Sequence, residues 1–480
     1  MTLSSSDLLN YYRCPRLLFL NKHGEKSLQL PPSDFLQRLW KVGRDYESTV
    51  IEYFKYKKPK YKVGDHETGL KETIKLMEEG VDYIYQGVLK NDDLVGIPDI
   101  LIKKEGYSKF GNYYYYPVDI KGASSSREKY LFQLASYAYI IGEIQEFTPL
   151  QGGLMLLNLD LQIRSLHSLM KEVISAIEES KSILSNPDTM PDLFIDSNCQ
   201  QCRWYDLCLP EAHKKKDLSL VPTLSRKIKA ELQSMSINNY AELANCSKED
   251  LANMESLTND KGSQIILQAK ALNEGKIYLK AIPNLIDTKG KEILMDFESD
   301  FIMDENGTDI RRVDYLVGLL RFDNKKPFYY CIILDESEEK LLEEFSGFIK
   351  EHSNFTFIHY GHYEQTVLNN KWNTLPDTKL LNLEKVVRDS LIMPVTSYSL
   401  KNIAKLLGFK WKNKEASATQ SMCWYSQYLQ TNDRQYLNLS IQYNMDDCMA
   451  LYTVKEWLAH LKEKNIPIGE FIDIKEVIHQ

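Results

Sequence analysis

The stretch Tyr113-Tyr114-Tyr115-Tyr116-Pro117-Val118-Asp119-Ile120-Lys121 decides how the amino-terminal half folds. Tyrosine and valine suit a pleated, half-buried surface, so Tyr113–Ile120 is expected to be a strand. Strand side chains alternate, so Asp119 and Lys121 face the same way, a carboxylate beside an ammonium. Upstream lie two more strand candidates, Val81–Leu89 and Leu94–Ile102, separated by the turn signal Asn91-Asp92-Asp93. The second contains Gly96-Ile97-Pro98-Asp99, and Asp99 on a neighbouring strand completes a hard oxygen site for Mg²⁺ or Mn²⁺. Such a metal lowers the pKa of bound water and neutralises phosphodiester charge, while the lysine orients that water or stabilises the developing charge. Taken alone, a D-x-K pattern is most often a surface ion pair, so its surroundings carry the argument.

Residues 33–55 are expected to be helical, with Ser33 as N-cap and Phe35, Leu36, Leu39, Trp40 and Val42 among the apolar positions. A helix over Glu128–Ile144, a strand at Gly153–Leu159 and a helix at Ser165–Leu184 follow. The order is αβββαβ. Gln133 and Tyr137 share one helical face at i, i+4 spacing. Pro98-Asp99, Asp119-x-Lys121 and Gln133-x3-Tyr137, set in that order of elements, resemble the PD-(D/E)xK nuclease superfamily, specifically its RecB-like branch. The resemblance implies catalytic roles for Asp99, Asp119, Lys121, Gln133 and Tyr137. It also implies a ligand on the first helix. Glu47 is the candidate, and Tyr46 stands where the family often has a histidine.

Eight cysteines are too few for a disulfide scaffold in a chain of 480 residues, and clustered thiols then point to metal. Cys14 lies far upstream, and Cys199, Cys202 and Cys208 form C-x2-C-x5-C. A thiolate quartet binds zinc or an iron–sulfur cluster. The uneven pattern resembles the cluster-bearing nucleases of CRISPR adaptation and of the RecB-like repair family, which implies a 4Fe–4S cluster on Cys14, Cys199, Cys202 and Cys208. A zinc staple and, less simply, buried unliganded cysteines are the alternatives. Cys246, Cys331, Cys423 and Cys448 have no such spacing and read as packing residues.

Residues 217–276 read as a helical linker, with Leu224–Met235, Tyr240–Ala244, Lys248–Met254 and Gly262–Leu272 as short helices of helix-hairpin-helix character at most. Then the pattern resets. Ile293–Glu298, Val313–Phe322 and Phe328–Leu334 are strand candidates, Glu336–Lys350 a helix, Phe355–Tyr360 a strand, and the rest mostly helical to about residue 464. That order suits an RNase H-like fold.

Met295-Asp296-Phe297-Glu298 puts Asp296 and Glu298 on one face of a strand. Tyr443 and Asp447 share a helical face, and His359-Tyr360-Gly361-His362-Tyr363-Glu364 lies between. Carboxylates converging from separate elements on two divalent ions are an apparatus for phosphodiester hydrolysis. The trio resembles the DEDD exonucleases of the RNase H-like superfamily, in the branch with a tyrosine in its third motif. It implies Asp296, Glu298, Glu364 and Asp447 as metal ligands and Tyr443 as the group that positions water. Glu364 stands where the family has Asp. His362 is a ligand, a phosphate contact or an ordinary loop histidine. The phrase Ser397–Ala404 recurs in that branch, and its Lys401 reads as a DNA contact or, more simply, a solvated lysine.

The expected architecture is thus an α/β multidomain chain. It has a PD-(D/E)xK restriction-endonuclease-like domain over 1–212, the helical linker, and an RNase H-like domain over 285–465. The pairing resembles a family of bacterial and archaeal RecB-like nucleases. That resemblance implies a metal-dependent deoxyribonuclease, an exonuclease acting on single strands or ends in repair or defence, with a helicase partner. Net charge is −8, so DNA contact falls to local basic patches such as His213-Lys214-Lys215-Lys216 with Arg226, Lys227 and Lys229. The sequence has no phosphate loop of the G-x-x-x-x-G-K-[ST] kind and no membrane-length apolar run, and a cytoplasmic setting is expected. One rival is a protein with a single live site, the first, whose other site serves as a DNA clamp. The rival from another class is a non-catalytic cluster-bearing scaffold that recruits a helicase or other partner to DNA ends.

Overall fold

The computed structural model describes residues 2–304, 306–335, 337–371, 378–464 and 466–474. The chain divides into two compact units. The first comprises Met1–Leu193, Asn198–Leu207 and Phe301–Arg311; the second comprises Phe194–Ser197, Cys208–Asp300 and Arg312–Gln480.

The first unit is built on a five-stranded sheet whose spatial order follows the sequence: Tyr83–Tyr85, Ile100–Ser108, Gly111–Ile120, Gln151–Leu156 and Asp160–Ser165. All neighbours pair antiparallel except Gly111–Ile120 with Gln151–Leu156. A parallel step needs a crossover, and the helix Glu128–Gln145 supplies it. Alternation sends Leu101, Tyr115 and Leu154 to the face covered by that helix, where Phe132, Ala135, Ala138 and Ile141 are buried. The opposite set, Ile100, Val118, Ile120 and Met155, meets Tyr46, Val50 and Ile51 of the helix Asp34–Ile51, with Met303 and Ile310 packed beside them.

The strands depart from expectation where backbone chemistry interrupts them. Val81–Leu89 divides into Tyr83–Tyr85 and Leu89–Lys90, with Gln86 between them at φ 50°. Leu94–Ile102 divides into Leu94–Gly96 and Ile100–Ser108 around Pro98, which has no N–H to give a ladder. Asp160–Ser165 is an unexpected edge strand, polar and largely exposed. Ser33 does cap its helix, accepting from Leu36 N–H. The expected apolar face is wrong in part, because Leu39 and Trp40 are 45% and 47% exposed.

In the second unit the strand order is Lys326–Ile333, Ile310–Asp323, Glu292–Met303, Thr356–His359 and Lys379–Asn382. The first two pair antiparallel across Asn324-Lys325, both at positive φ, the turn geometry that matches strand twist. The last three run parallel. Lys379–Asn382 lies in the span expected to be helical. Ile293, Met295 and Phe297 face the helix Glu338–Glu351 through Leu341, Phe345 and Ile349. The alternate residues therefore face the long helix Arg434–Glu463, where Leu294, Leu320 and Ile358 meet Leu451, Val454 and Leu458. Arg226–Ser234, Tyr240–Ala244 and Asn259–Glu274 form a small helical cluster around Ile228, Leu232, Leu243 and Ala269, while Lys248–Met254 forms turns rather than a helix. No described helix is long and apolar enough to cross a membrane.

Candidate metal-binding site

Alternation along Glu292–Met303 sets Asp296 and Glu298 side by side, and the long helix brings Asp447 to them. Their ligand oxygens all lie within 4.8 Å of one another, and this is the one such group of three among the described residues. Glu298 is 4% exposed, while Asp296 and Asp447 remain partly accessible. Burial pushes the Asp296 carboxyl well above its usual range, and Asp447, Glu298 and Glu364 push it further. Glu298 is raised by burial and Asp447, against hydrogen bonds from Ser421, Asn444 and Tyr315. Asp447 is pushed up to about 6 by burial, partly offset by Trp411 and Tyr443. The indole Nε1–H of Trp411 donates to Asp447 Oδ1 at 2.6 Å. Acids crowded until they resist ionisation are neutralised by protons or by a cation. An all-oxygen donor set fits a hard divalent ion such as Mg²⁺ or Mn²⁺.

Glu364, in the first turn of the helix Tyr363–Lys371, is buried beside this group rather than within it. Its Oε2 lies 3.5 Å from Nδ1 of the buried His359. His362 is exposed. Lys401 is not a solvated lysine: its ammonium donates to Ala416 O and lies 5.9 Å over the Trp411 ring, and burial lowers its pKa. Sequence reasoning missed Asn444 and Trp411. Asn444 Nδ2 donates to Asp296 Oδ2 at 2.8 Å, and Trp411 comes from a loop whose sequence position carries no signal.

The first unit gathers a second acidic cluster. Lys121 Nζ lies 3.1 Å from Asp119 Oδ2, and Asp119 is 1% exposed. Asp99 Oδ2 accepts from Ile120 N–H at 2.6 Å. Burial, then Asp119, push the Asp99 carboxyl well up, Lys121 pulls it down and Glu47 adds to the rise. Burial works against the Lys121 charge, but Asp119 and Asp99 outweigh it and hold its pKa up. Glu47 Oε1 accepts from Tyr85 OH at 3.0 Å and from Gln86 Nε2 at 2.9 Å, so the break in the first strand aims Gln86 at this acid. Gln133 Nε2 donates to Tyr137 OH at 2.8 Å, and burial with Asp119 and Asp99 raises that phenol. Gly96 makes room for the ring, since a Cβ there would lie 2.7 Å from Tyr137 and 2.5 Å from Ser5 Oγ. Tyr46 is wholly buried, and its hydroxyl donates to Leu156 O at 2.5 Å, so it serves the core.

Cys199 and Cys202 share a turn closed by Cys202 N–H on Cys199 O at 2.9 Å. Arg13, beside Cys14, donates to Asn198 O at 2.7 Å, and Trp204 Nε1 donates to Asn21 Oδ1 at 2.9 Å. These bonds tie the cysteine turn to the first helices. Cys208 stands on the helix Tyr205–Lys215. Cys14, Cys199, Cys202 and Cys208 are each partly buried. The basic run is also less available than its sequence suggests. Lys229 is buried 2.7 Å from Asp217 Oδ2, Lys215 lies 2.7 Å from Glu211, and Arg226 sits over the Phe194 ring at 4.4 Å.

A family model of the RNase H superfamily, RNase_H_2, matches residues 294–459. No curated protein matches the chain. The carboxy-terminal region therefore carries an RNase H-like domain, and the matched span holds Asp296, Glu298, Glu364, Tyr443 and Asp447. The match supports nuclease-type phosphodiester hydrolysis and divalent-metal binding there.

Proposed function

We propose that the protein is a metal-dependent deoxyribonuclease, acting as an exonuclease on single strands or DNA ends in repair or in defence against foreign DNA. The observation that carries the reading is the convergence of Asp296, Glu298 and Asp447 inside the span matched by the RNase H superfamily. Divalent ions held there supply charge neutralisation and a more acidic water. Tyr443 stays protonated, because burial and three nearby acids push its phenol well up. With its proton directed to Asp447, its oxygen is left to accept a hydrogen bond from the attacking water.

Asp99, Asp119 and Lys121, with Glu47, Gln133 and Tyr137, make a second hydrolytic centre in this proposal, the PD-(D/E)xK core of a domain over 1–212. The reading keeps a linker over 217–276 and an exonuclease-type domain over 285–465. Cys14, Cys199, Cys202 and Cys208 hold a 4Fe–4S cluster in this scheme, on the pattern of one distant cysteine and C-x2-C-x5-C. A helicase opening duplex ahead of the nuclease is the partner this activity would use.

The test compares Lys121→Ala and Asp296→Ala, singly, on 5′- and 3′-labelled single-stranded DNA with Mn²⁺. Each change is expected to reduce cleavage. If neither does, the two-site reading fails, and a wild type that never cuts leaves the scaffold. Anaerobically purified protein should be brown, absorbing near ~400 nm; a colourless, zinc-loaded protein refutes the cluster.

A further inference from the structure

We propose that Asn444 is a positioning residue that presents Asp296 and Glu298 to the metal, with its amide orientation set by Tyr329. The inference rests on the reading of Asp296, Glu298 and Asp447 as a metal site.

Asn444 is wholly buried on the long helix. Asparagine gains little inside a helix and loses solvation on burial, so a buried one needs partners. An amide has a donor end and an acceptor end, and a neighbour must decide which faces the acids. Tyr329 decides it here. Its hydroxyl donates to Asn444 Oδ1 at 2.8 Å. Burial raises that phenol far enough that it remains a donor throughout the working pH range. The NH₂ end is therefore turned to Asp296, donating to Oδ2 at 2.8 Å and reaching the backbone oxygen at 3.2 Å. Glu298 draws on the same amide.

The neighbouring strand is shaped for this group. A Cβ at Gly318 would lie 1.6 Å from Asn444 Oδ1 and 2.8 Å from its Cγ, so any larger residue displaces the amide. A neutral donor holds two like-charged carboxylates without bringing a positive charge that would compete with a divalent ion. Partners of this kind, one bond behind the ligands, commonly govern metal affinity about 10- to 100-fold.

The experiment uses the full-length chain carrying Asp99→Asn, which weakens metal binding at the first cluster, and follows Mn²⁺ binding through the free-ion EPR signal. Asn444→Ala should weaken Mn²⁺ binding about tenfold or more. The Mn²⁺ concentration for half-maximal cleavage should rise by the same factor, with a smaller change in the rate at saturating Mn²⁺. Tyr329→Phe keeps the ring but frees the amide to turn, and should move both midpoints the same way by less. Gly318→Ala should resemble Asn444→Ala. Melting in EDTA separates these shifts from loss of fold, and if Asn444→Ala does not fold, Tyr329→Phe decides. Midpoints within about twofold of the parent in both variants, where Asp296→Ala abolishes binding, overturn the proposal. Unchanged Mn²⁺ binding in Asp296→Ala instead overturns the metal-site reading itself.

Discussion

In the first unit Asp99 and Asp119 share their space with an ammonium, Lys121, 3.1 Å from Asp119. In the second, Asp296, Glu298 and Asp447 are met by an amide, an indole and a phenol, from Asn444, Trp411 and Tyr443. At an effective dielectric of roughly 20, unit charges 4 Å apart interact by roughly 4 kcal/mol. One cluster therefore carries much of its own counter-charge within the fold. The other is held by neutral donors and draws its counter-charge from protons or a bound cation. The same residue class, buried carboxylate, stabilises one arrangement through its ion pair and strains the other until something binds.

The comparison breaks if removing a carboxylate has the same sign in both places. Asp119→Ala leaves Lys121 without its nearest partner and should destabilise the protein by about 3–5 kcal/mol in chemical denaturation. Gly96→Ala forces a methyl into the Tyr137 ring and should destabilise by about 1–3 kcal/mol. It should lower Lys121-dependent cleavage while leaving Asp296-dependent cleavage intact. Glu298→Gln relieves repulsion, so it should raise the melting temperature in EDTA while abolishing cleavage at that site. A fall in that melting temperature would refute the contrast.

Acidity sharpens the same point. Asp447 is pushed up to about 6 in the folded protein, above its unfolded value. A carboxyl raised on folding contributes stability at low pH that is lost as pH rises through the folded pKa. The melting temperature in EDTA should therefore fall as pH rises from about 4 to about 6, and Mn²⁺ should remove much of that fall. Trp411→Phe removes one donor to Asp447 and should be the mildest change, about 0.5–1.5 kcal/mol with a few-fold loss of cleavage.

Alternation made the placement of Asp296 and Glu298, and of Asp119 and Lys121, legible in the sequence, because one rule of geometry fixes the face. Helical spacing did the same for Gln133 with Tyr137 and for Tyr443 with Asp447. What stayed hidden depended on tertiary partners. Asn444 reads as an ordinary polar helix residue until Tyr329 and Gly318 are beside it. Lys229 reads as part of a basic run, yet it is buried against Asp217. Lys379–Asn382 is four residues long, too short to declare its period, and becomes a strand by pairing with Thr356–His359. Pro98 and Gln86 broke strands that the hydrophobic pattern alone made continuous.

Met303 and Ile310 complete the packing behind Tyr46 and Ile120, although they are encoded far downstream of the other residues of that unit. The ribosome therefore releases the amino-terminal half before its last core side chains exist. Until residue 310 emerges, that nascent half waits with an apolar surface uncovered, a form prone to aggregation and to chaperone capture. A gene cut between the two halves would make that transient state permanent.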